Sequence, residues 1–257
     1  MTGYQMWTSY YTMARKEFVR MIRIWSQTLL PPIVTTSLYF VVFGSFIGSQ
    51  LAAIEGFSYM QFIVPGLIMM SMITSSYMNT VSTFYFAKWQ RTLDEILVSP
   101  TPNWIVIAGF ISGGMIRGLL VGTLVLIVSL FFTHLVIHQL AIVILAGILT
   151  TMLFSLAGLV NGIFAKGFDG ISIVPTFVLT PLTYLGGVFF SINQFPEFWR
   201  IVSLFNPILY MVNAFRYGFL GISDVSIAMS FSILIAINVV LLGLTVYLFK
   251  KGWGFKN

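Results

Sequence analysis

The sequence predicts an all-α polytopic membrane protein with six transmembrane helices, an N-terminal amphipathic interfacial helix, and an outer re-entrant helical segment between spans 5 and 6. Three observations lead there. Only 8% of the 257 residues are charged and 58% are hydrophobic, whereas soluble domains carry roughly 25% charge. Apolar runs long enough to cross a ~30 Å hydrocarbon core as helix recur along the whole chain. The thirteen Lys and Arg residues fall in short groups between those runs. Residues 1–257 therefore read as one transmembrane domain.

Residues 1–26 place Tyr4, Trp7, Tyr11, Ala14, Phe18, Met21 and Trp25 at alternating spacings of three and four, with Lys16, Arg20 and Arg23 on the opposite face. Such a helix suits the headgroup layer, its aromatics at the acyl boundary and its cations against anionic lipid. The competing reading is an amphipathic helix packed on another protein. The basic residues follow the aromatics and no small-residue cleavage site closes an apolar core. The segment is not a cleavable signal and is expected to stay in the mature chain.

Spans are predicted at about 28–48, 60–86, 104–133, 140–165, 171–190 and 226–249. Pro31-Pro32 is expected in the first turn of the first span and Pro65-Gly66 at the opening of the second, where a missing N–H costs little. The second and third runs exceed the bilayer requirement and must tilt or project. Six crossings put both termini on one side. That side holds Arg15, Lys16, Arg20, Arg23, Lys88, Arg91, Lys166, Lys250, Lys251 and Lys256, against Arg200 and Arg216 on the other. Positive charge accumulates toward the cytoplasm, so both termini and the loops near 90 and 168 are expected there.

From Ser191 to Asp224 the chain stays apolar and aromatic, but Pro196, Asn206-Pro207 and Gly221 divide it into pieces too short to span. Two short helices dipping into the outer leaflet and an exposed amphipathic loop are the alternatives for 191–224. Backbone broken at membrane depth has to be shielded by protein or water.

Several chemistries are excluded. Cys is absent, which removes disulfides and thiolate sites. The formal charge of +6 is not gathered on a basic face, so nucleic acid is not expected as a partner. No G-x-x-x-x-G-K-[ST] occurs, so the chain holds no P-loop and no cofactor of its own is expected. His134 and His138 are spaced to share a helix face, but no nearby carboxylate completes a metal site; a plain outer loop is the simpler reading.

Arg117 alone lies within a span. It either snorkels or pairs with a cytoplasmic acid, or it plays a direct part in transport. No carboxylate falls mid-span, which argues against the alternative of an ion- or proton-coupled secondary transporter. Around Arg117, Gly109 and Gly113, then Gly114, Gly118 and Gly122, recur every four residues and admit close approach of another helix. Whether that neighbour lies within the subunit or across a dimer is open.

Between the second and third spans, Lys88 to Val98 reads as a short amphipathic helix. Trp89, Leu93, Ile96 and Leu97 form its apolar side, with Lys88, Arg91 and Glu95 elsewhere and Ser99-Pro100-Thr101-Pro102 ending it. The stretch Arg91-Thr92-Leu93-Asp94-Glu95-Ile96-Leu97-Val98-Ser99-Pro100 resembles the first cytoplasmic loop of the ABC-2 type permeases. Residues Pro181 to Arg216, with Leu185-Gly186-Gly187-Val188-Phe189, Phe195-Pro196, Asn206-Pro207, Tyr210 and Arg216, resemble their C-terminal signature. The resemblance covers nearly the whole chain, and it is nearest to small permeases grouped with drug and lipo-oligosaccharide exporters.

It implies a homodimeric permease, in membrane lipid of a bacterial cytoplasmic (inner) membrane, on two copies of a separate ABC ATPase. That subunit would hold ATP and Mg and drive outward movement of an amphiphilic compound. The 88–98 loop and the interfacial helix would receive its movement. Coupling then falls on Arg91, Asp94 and Glu95, with Leu93, Ile96 and Leu97 as docking face, and the re-entrant role on Phe195, Pro196, Asn206, Pro207 and Arg216.

A chain without Cys reports its own topology through single introduced thiols. Gln90→Cys, Gly167→Cys and Gly254→Cys are expected to react with an impermeant maleimide only from the cytoplasm, and Ala53→Cys, Gln139→Cys and Gln194→Cys only from outside. Outside labelling at position 90 would reverse the orientation.

Overall fold

The computed structural model describes residues 1–48, 54 and 56–252; Ala53, Gly254 and Lys256 lie outside them. Among the described residues, six helical segments are long and apolar enough to cross a membrane: Trp25–Gly44, Tyr59–Trp89, Asn103–Ser129, Leu140–Phe164, Phe168–Leu185 and Ile227–Lys251. Each overlaps a run read from the sequence, with only the ends displaced. No β-strand occurs among the described residues.

Helix α1 (Gly3–Arg23) starts at a capping box in which the Thr2 hydroxyl accepts from Gln5 N–H while the Gln5 side chain accepts from Thr2 N–H. The first span follows as α2 (Trp25–Thr28), α3 (Leu30–Tyr39) and a π-helical turn over Phe40–Ile47. Pro31 and Pro32 sit in the first turn of α3, where their missing N–H groups would be unpaired in any case. Helix α4 (Tyr59–Trp89) opens with a second capping box, Ser58 and Gln61. That cap starts the helix ahead of Pro65, which lies inside it rather than at its opening as the sequence suggested. Its 31 residues extend for ~46 Å at ~1.5 Å each, longer than a bilayer core.

Helices α5 (Thr92–Val98), α6 (Asn103–Ser129) and α7 (Leu140–Phe164) follow. The fifth span is broken into α8 (Phe168–Val174), a π-helical turn at Pro175–Leu179 and α9 (Thr180–Leu185). Pro175 and Pro181 each remove a backbone donor there, a usual cause of such irregularity. After a 3₁₀ turn at Ile192–Gln194 come α10 (Glu197–Leu204), α11 (Pro207–Leu220) and α12 (Ile227–Lys251), the last capped by Ser226 and closed by Lys250, Lys251 and Gly252.

Most of α4 is enclosed, while the first, fifth and sixth spans lie largely on the periphery. Helices α6 and α7 flank α4 and make its most extensive contacts. The glycine series explains how. A Cβ at Gly118 would meet Thr151 Cγ2 at 2.7 Å and Ser76 Cβ at 3.0 Å, and one at Gly122 would press on Met72. Gly114 sits against Thr80 and Ser76, while Gly109 and Gly113 receive Met13 and Glu17 of α1. The neighbours are therefore helices of the same chain. Small residues substitute for the hydrophobic drive that lipid cannot supply between helices.

The α4–α7 seam gives a direct test. A methyl on Gly158 would lie 2.6 Å from the Tyr77 carbonyl oxygen and 3.2 Å from Val81 N, both backbone atoms. Gly158→Ala is expected to cost ~1–3 kcal/mol by overpacking, read as a lower thermal midpoint in detergent. Gly243→Ala on α12, with nothing within 4 Å, should show no such loss.

Candidate functional site

At one end of the bundle α4 passes into α5 through Gln90 and Arg91. Arg91 takes φ 59°, a left-handed conformation uncommon outside glycine, and its N–H reaches Lys88 O at 3.1 Å. The turn starts a separate helix, so the predicted 88–98 helix divides into the end of α4 and α5. Thr92 Oγ1 donates to Ala87 O across the turn, and Ser99 Oγ closes α5 on Ile96 O. Asp94 and Glu95 lie in the first turn, where carboxylates suit the helix dipole, and both are exposed with Arg91.

Leu93 corrects the expected docking face. It is 1% exposed, packed in the cluster of Phe84, Ala87, Val106 and Ile107. An unsupported leucine would be costly beside water, and α5 is short enough to use it as an anchor. Ile96 and Leu97 are half-buried against the same cluster. A cavity of about 610 Å³ separates the first half of α1 from residues 95–101, with Tyr4, Thr8, Thr12 and Glu95 on its walls.

Helix α1 presents Tyr4, Trp7, Tyr11 and Phe18 outward with Lys16 and Arg23 exposed. It meets α6 through a narrower strip at Met13 and Glu17, and Met21, one turn on, continues the buried series. Arg20 departs from the expected exposed basic face. Its guanidinium turns inward, donating to Thr83 Oγ1 and, at 3.3 Å, to Asn79 Oδ1 on α4, and pairs with Glu17 at 3.1 Å. Glu17 is 5% exposed. Burial pushes its carboxyl up from the usual 4.5, against the opposing Arg20 charge, the Thr83 hydrogen bond and Lys16, in that order. The sequence reading passed over Glu17; its signal was the series 13, 17, 21, which places an acid between two methionines on one face.

Arg117 reaches the start of the first span, where Nη2 donates to Thr28 O at 3.2 Å. No carboxylate pairs with it among the described residues. Beside it, a groove of about 310 Å³ runs between the first span and α4, from Gln27 to Tyr39 on one wall and from Met78 to Leu67 on the other. Thr36 Oγ1 and Ser71 Oγ, 3.0 Å apart, bridge its walls.

At the opposite end, Asn206 caps α11 by accepting from Ile208 N–H at 3.0 Å, while its side-chain amide donates to Leu182 O. Pro207 occupies the first turn of α11, so the chain breaks between α10 and α11 where the sequence expected. Phe195 is half-buried and Pro196 starts α10. Arg216, counted from the sequence on the side opposite the termini, is 2% exposed. It lies 3.8 Å over the Phe62 ring, donates to Gly187 O and pairs with Asp224 at 3.6 Å. The backbone at Gly187, φ 73°, turns that carbonyl inward. Asp224 also accepts from Ser191 Oγ and Asn193 Nδ2, and its N–H donates to Asn213 Oδ1 at 2.7 Å. His134 and His138 lie in the link before α7 and share no helix; the His138 ring packs edge-on to Tyr217.

The family model described as ABC-2 type transporter matches residues 8–220. The chain is 52% identical over 251 residues, 98% of each chain, to an Escherichia coli K12 protein named inner membrane transport permease YadH. It is 26% identical over 187 residues, 72% of this chain and 71% of the relative, to nodulation protein J of Rhizobium leguminosarum bv. viciae. A Rhizobium meliloti protein of the same name is 24% identical over 210 residues, 80% of this chain and 79% of that one.

The raised Glu17 carboxyl sets a pH dependence with a definite sign. The folded chain keeps that proton to a higher pH than the unfolded chain, so stability contributed here falls as pH rises above the usual value of 4.5. The thermal midpoint of Glu17→Gln minus that of the wild type is expected to grow as pH rises through this window. A difference that shrinks would show that the Arg20 pairing outweighs desolvation.

Proposed function

Because the chain belongs to the ABC-2 type transporter family, and is thus a multi-pass inner-membrane permease subunit that associates with an ABC ATPase, we propose that it works as a homodimer on two copies of a separate ATPase and exports an amphiphilic compound. The partner subunit holds ATP and Mg; this chain supplies the pathway. Both termini lie in the cytoplasm, and the α10–α11 segment enters the outer leaflet and returns.

The observation that carries the coupling is the juxtaposition at the inner end. Asp94 and Glu95 are exposed on a seven-residue helix, with Arg91 exposed at its N-cap, and Leu93 of that helix is anchored in the bundle. A partner that moves α5 therefore moves the ends of α4 and α6. Such a partner biases the permease between states by its differential affinity for them. Ile96, Leu97 and the cavity against α1 complete the receiving surface. An ion-coupled mechanism finds less support, since the buried acids Glu17 and Asp224 are each paired with an arginine and neither lies in a span.

Reversing Asp94 and Glu95 to Lys tests this reading without disturbing a span. Truncating a buried charge-assisted interface contact costs ~2–5 kcal/mol, so co-purified ATPase is expected to fall by ~30-fold or more while permease abundance in the membrane is unchanged. Normal co-purification and export would place the coupling elsewhere.

A further inference from the structure

We infer that the groove between the first span and α4 is a binding site for an anionic amphiphile, with Arg117 holding its phosphate or carboxylate head and the apolar tail lying toward Tyr39. The inference rests on the reading of the chain as an exporter of amphiphiles and narrows the substrate class to the anionic.

Charge is the first argument. A cation within a span is expensive and ordinarily finds a partner or water. Among the described residues Glu17 pairs with Arg20 and Asp224 with Arg216, whereas Arg117 meets the Thr28 carbonyl and no carboxylate. Arg20 adds to the positive field around it. A guanidinium offers five donors in a planar fork that matches carboxylate or phosphate oxygens in pairs. The donors that the Thr28 carbonyl leaves over can take an anion.

Shape and lining are the second. From Gln27 to Tyr39 the first span rises ~18 Å at ~1.5 Å per residue, so the groove is a slot with its cation at the Gln27 end. Beyond Arg117 the α4 wall presents Met78, Met70 and Leu67, with Ser75, Thr74 and Ser71 between them. Methionines accommodate irregular apolar shapes. Thr74 is exposed to the slot with its hydroxyl already returned to Met70 O, so it adds no unmet donor along the tail. Charge at one end, and beyond it methionine, leucine and proline surface interrupted by small hydroxyls, suits an amphiphile better than a bare anion or an alkane.

The same chemistry has two sources, an anionic phospholipid of the bilayer or a soluble amphiphile. With no native Cys, Thr74→Cys places one thiol in the groove, and its modification rate by a methanethiosulfonate reagent reads occupancy in phosphatidylcholine nanodiscs. Dodecyl phosphate, or phosphatidylglycerol incorporated in the disc, is expected to slow modification at least tenfold. Protection by phosphatidylglycerol assigns the site to bilayer lipid; protection by dodecyl phosphate alone assigns it to a soluble amphiphile. The protection should persist with Arg117→Lys, which keeps the charge, and disappear with Arg117→Gln. Equal protection by dodecylphosphocholine, equal protection by inorganic phosphate, protection that survives Arg117→Gln, or none from either anionic amphiphile would each overturn the inference. The assay uses the permease alone, so its outcome is independent of ATPase coupling, which co-purification reads separately.

Discussion

Close approach of helix backbones along α4 is the constraint on which the rest of the molecule depends. Lipid tails are as apolar as leucine, so burying leucine between helices gains little over leaving it in the bilayer. Contact has to come from dense packing, and density requires residues without bulk at the seam. Gly114, Gly118 and Gly122 on α6 and Gly158 and Gly162 on α7 bring both helices onto α4. Several hydroxyls at those seams donate along their own helices, as Ser76 does to Met72 O at 2.7 Å and Thr151 to Gly147 O at 2.9 Å. Their donors are then met within the bundle. Three helices form a stiff centre, and the first, fifth and sixth spans attach to it from outside.

Each end of that centre is tied by an ion pair, buried on both sides at Arg216 and Asp224 and on the Glu17 side at the other. At one end, Arg216 on α11 joins α4 through Phe62, the α9 exit through Gly187 and the α12 entry through Asp224. At the other, Arg20 and Glu17 join α1 to α4 and α6. Burying such pairs yields little net stability, because desolvation offsets attraction, but removing one partner strands the other charge at a cost of ~3–5 kcal/mol. The pairs therefore act less as glue than as register marks: helices displaced along their axes by one turn would leave unpaired ions.

The spans were legible because each needs only a long apolar run, a property of composition that survives any packing. The Asn206-Pro207 break was legible because proline removes a donor wherever it stands. The residues whose surroundings were not legible share a different feature, in that their environment is made by chain segments far away. Arg216 looks like an outer-loop cation until α4 supplies Phe62 from 154 positions earlier. Arg20 looks lipid-facing until Thr83 and Asn79 accept from it. Arg117 bonds to a backbone carbonyl, which every residue possesses and no letter announces. Leu93 was grouped correctly with its apolar neighbours; periodicity marks a face but not whether that face meets a partner or the chain itself.

These ties meet at one place. Helix α1 holds α6 through Glu17 and α4 through Arg20, while Arg117 of α6 holds Thr28 at the entry of the first span. Leu93 anchors α5 among side chains of α4 and α6. A displacement of α5 or α1 is thus passed to α6, and any rotation of α6 carries Arg117 with it. Arg117 is also the charged end of the groove, so on the proposed mechanism the force from the ATPase and the grip on an anionic head would act on one side chain. The joint to Thr28 is a single neutral-acceptor hydrogen bond, worth about 1.5–3 kcal/mol when one partner is charged. That is weak enough for a phosphate or carboxylate to compete for the guanidinium, and releasing it would free the entry of the first span to move. Coupling and cargo would then be read by the same bond, without a second sensor elsewhere in the bundle.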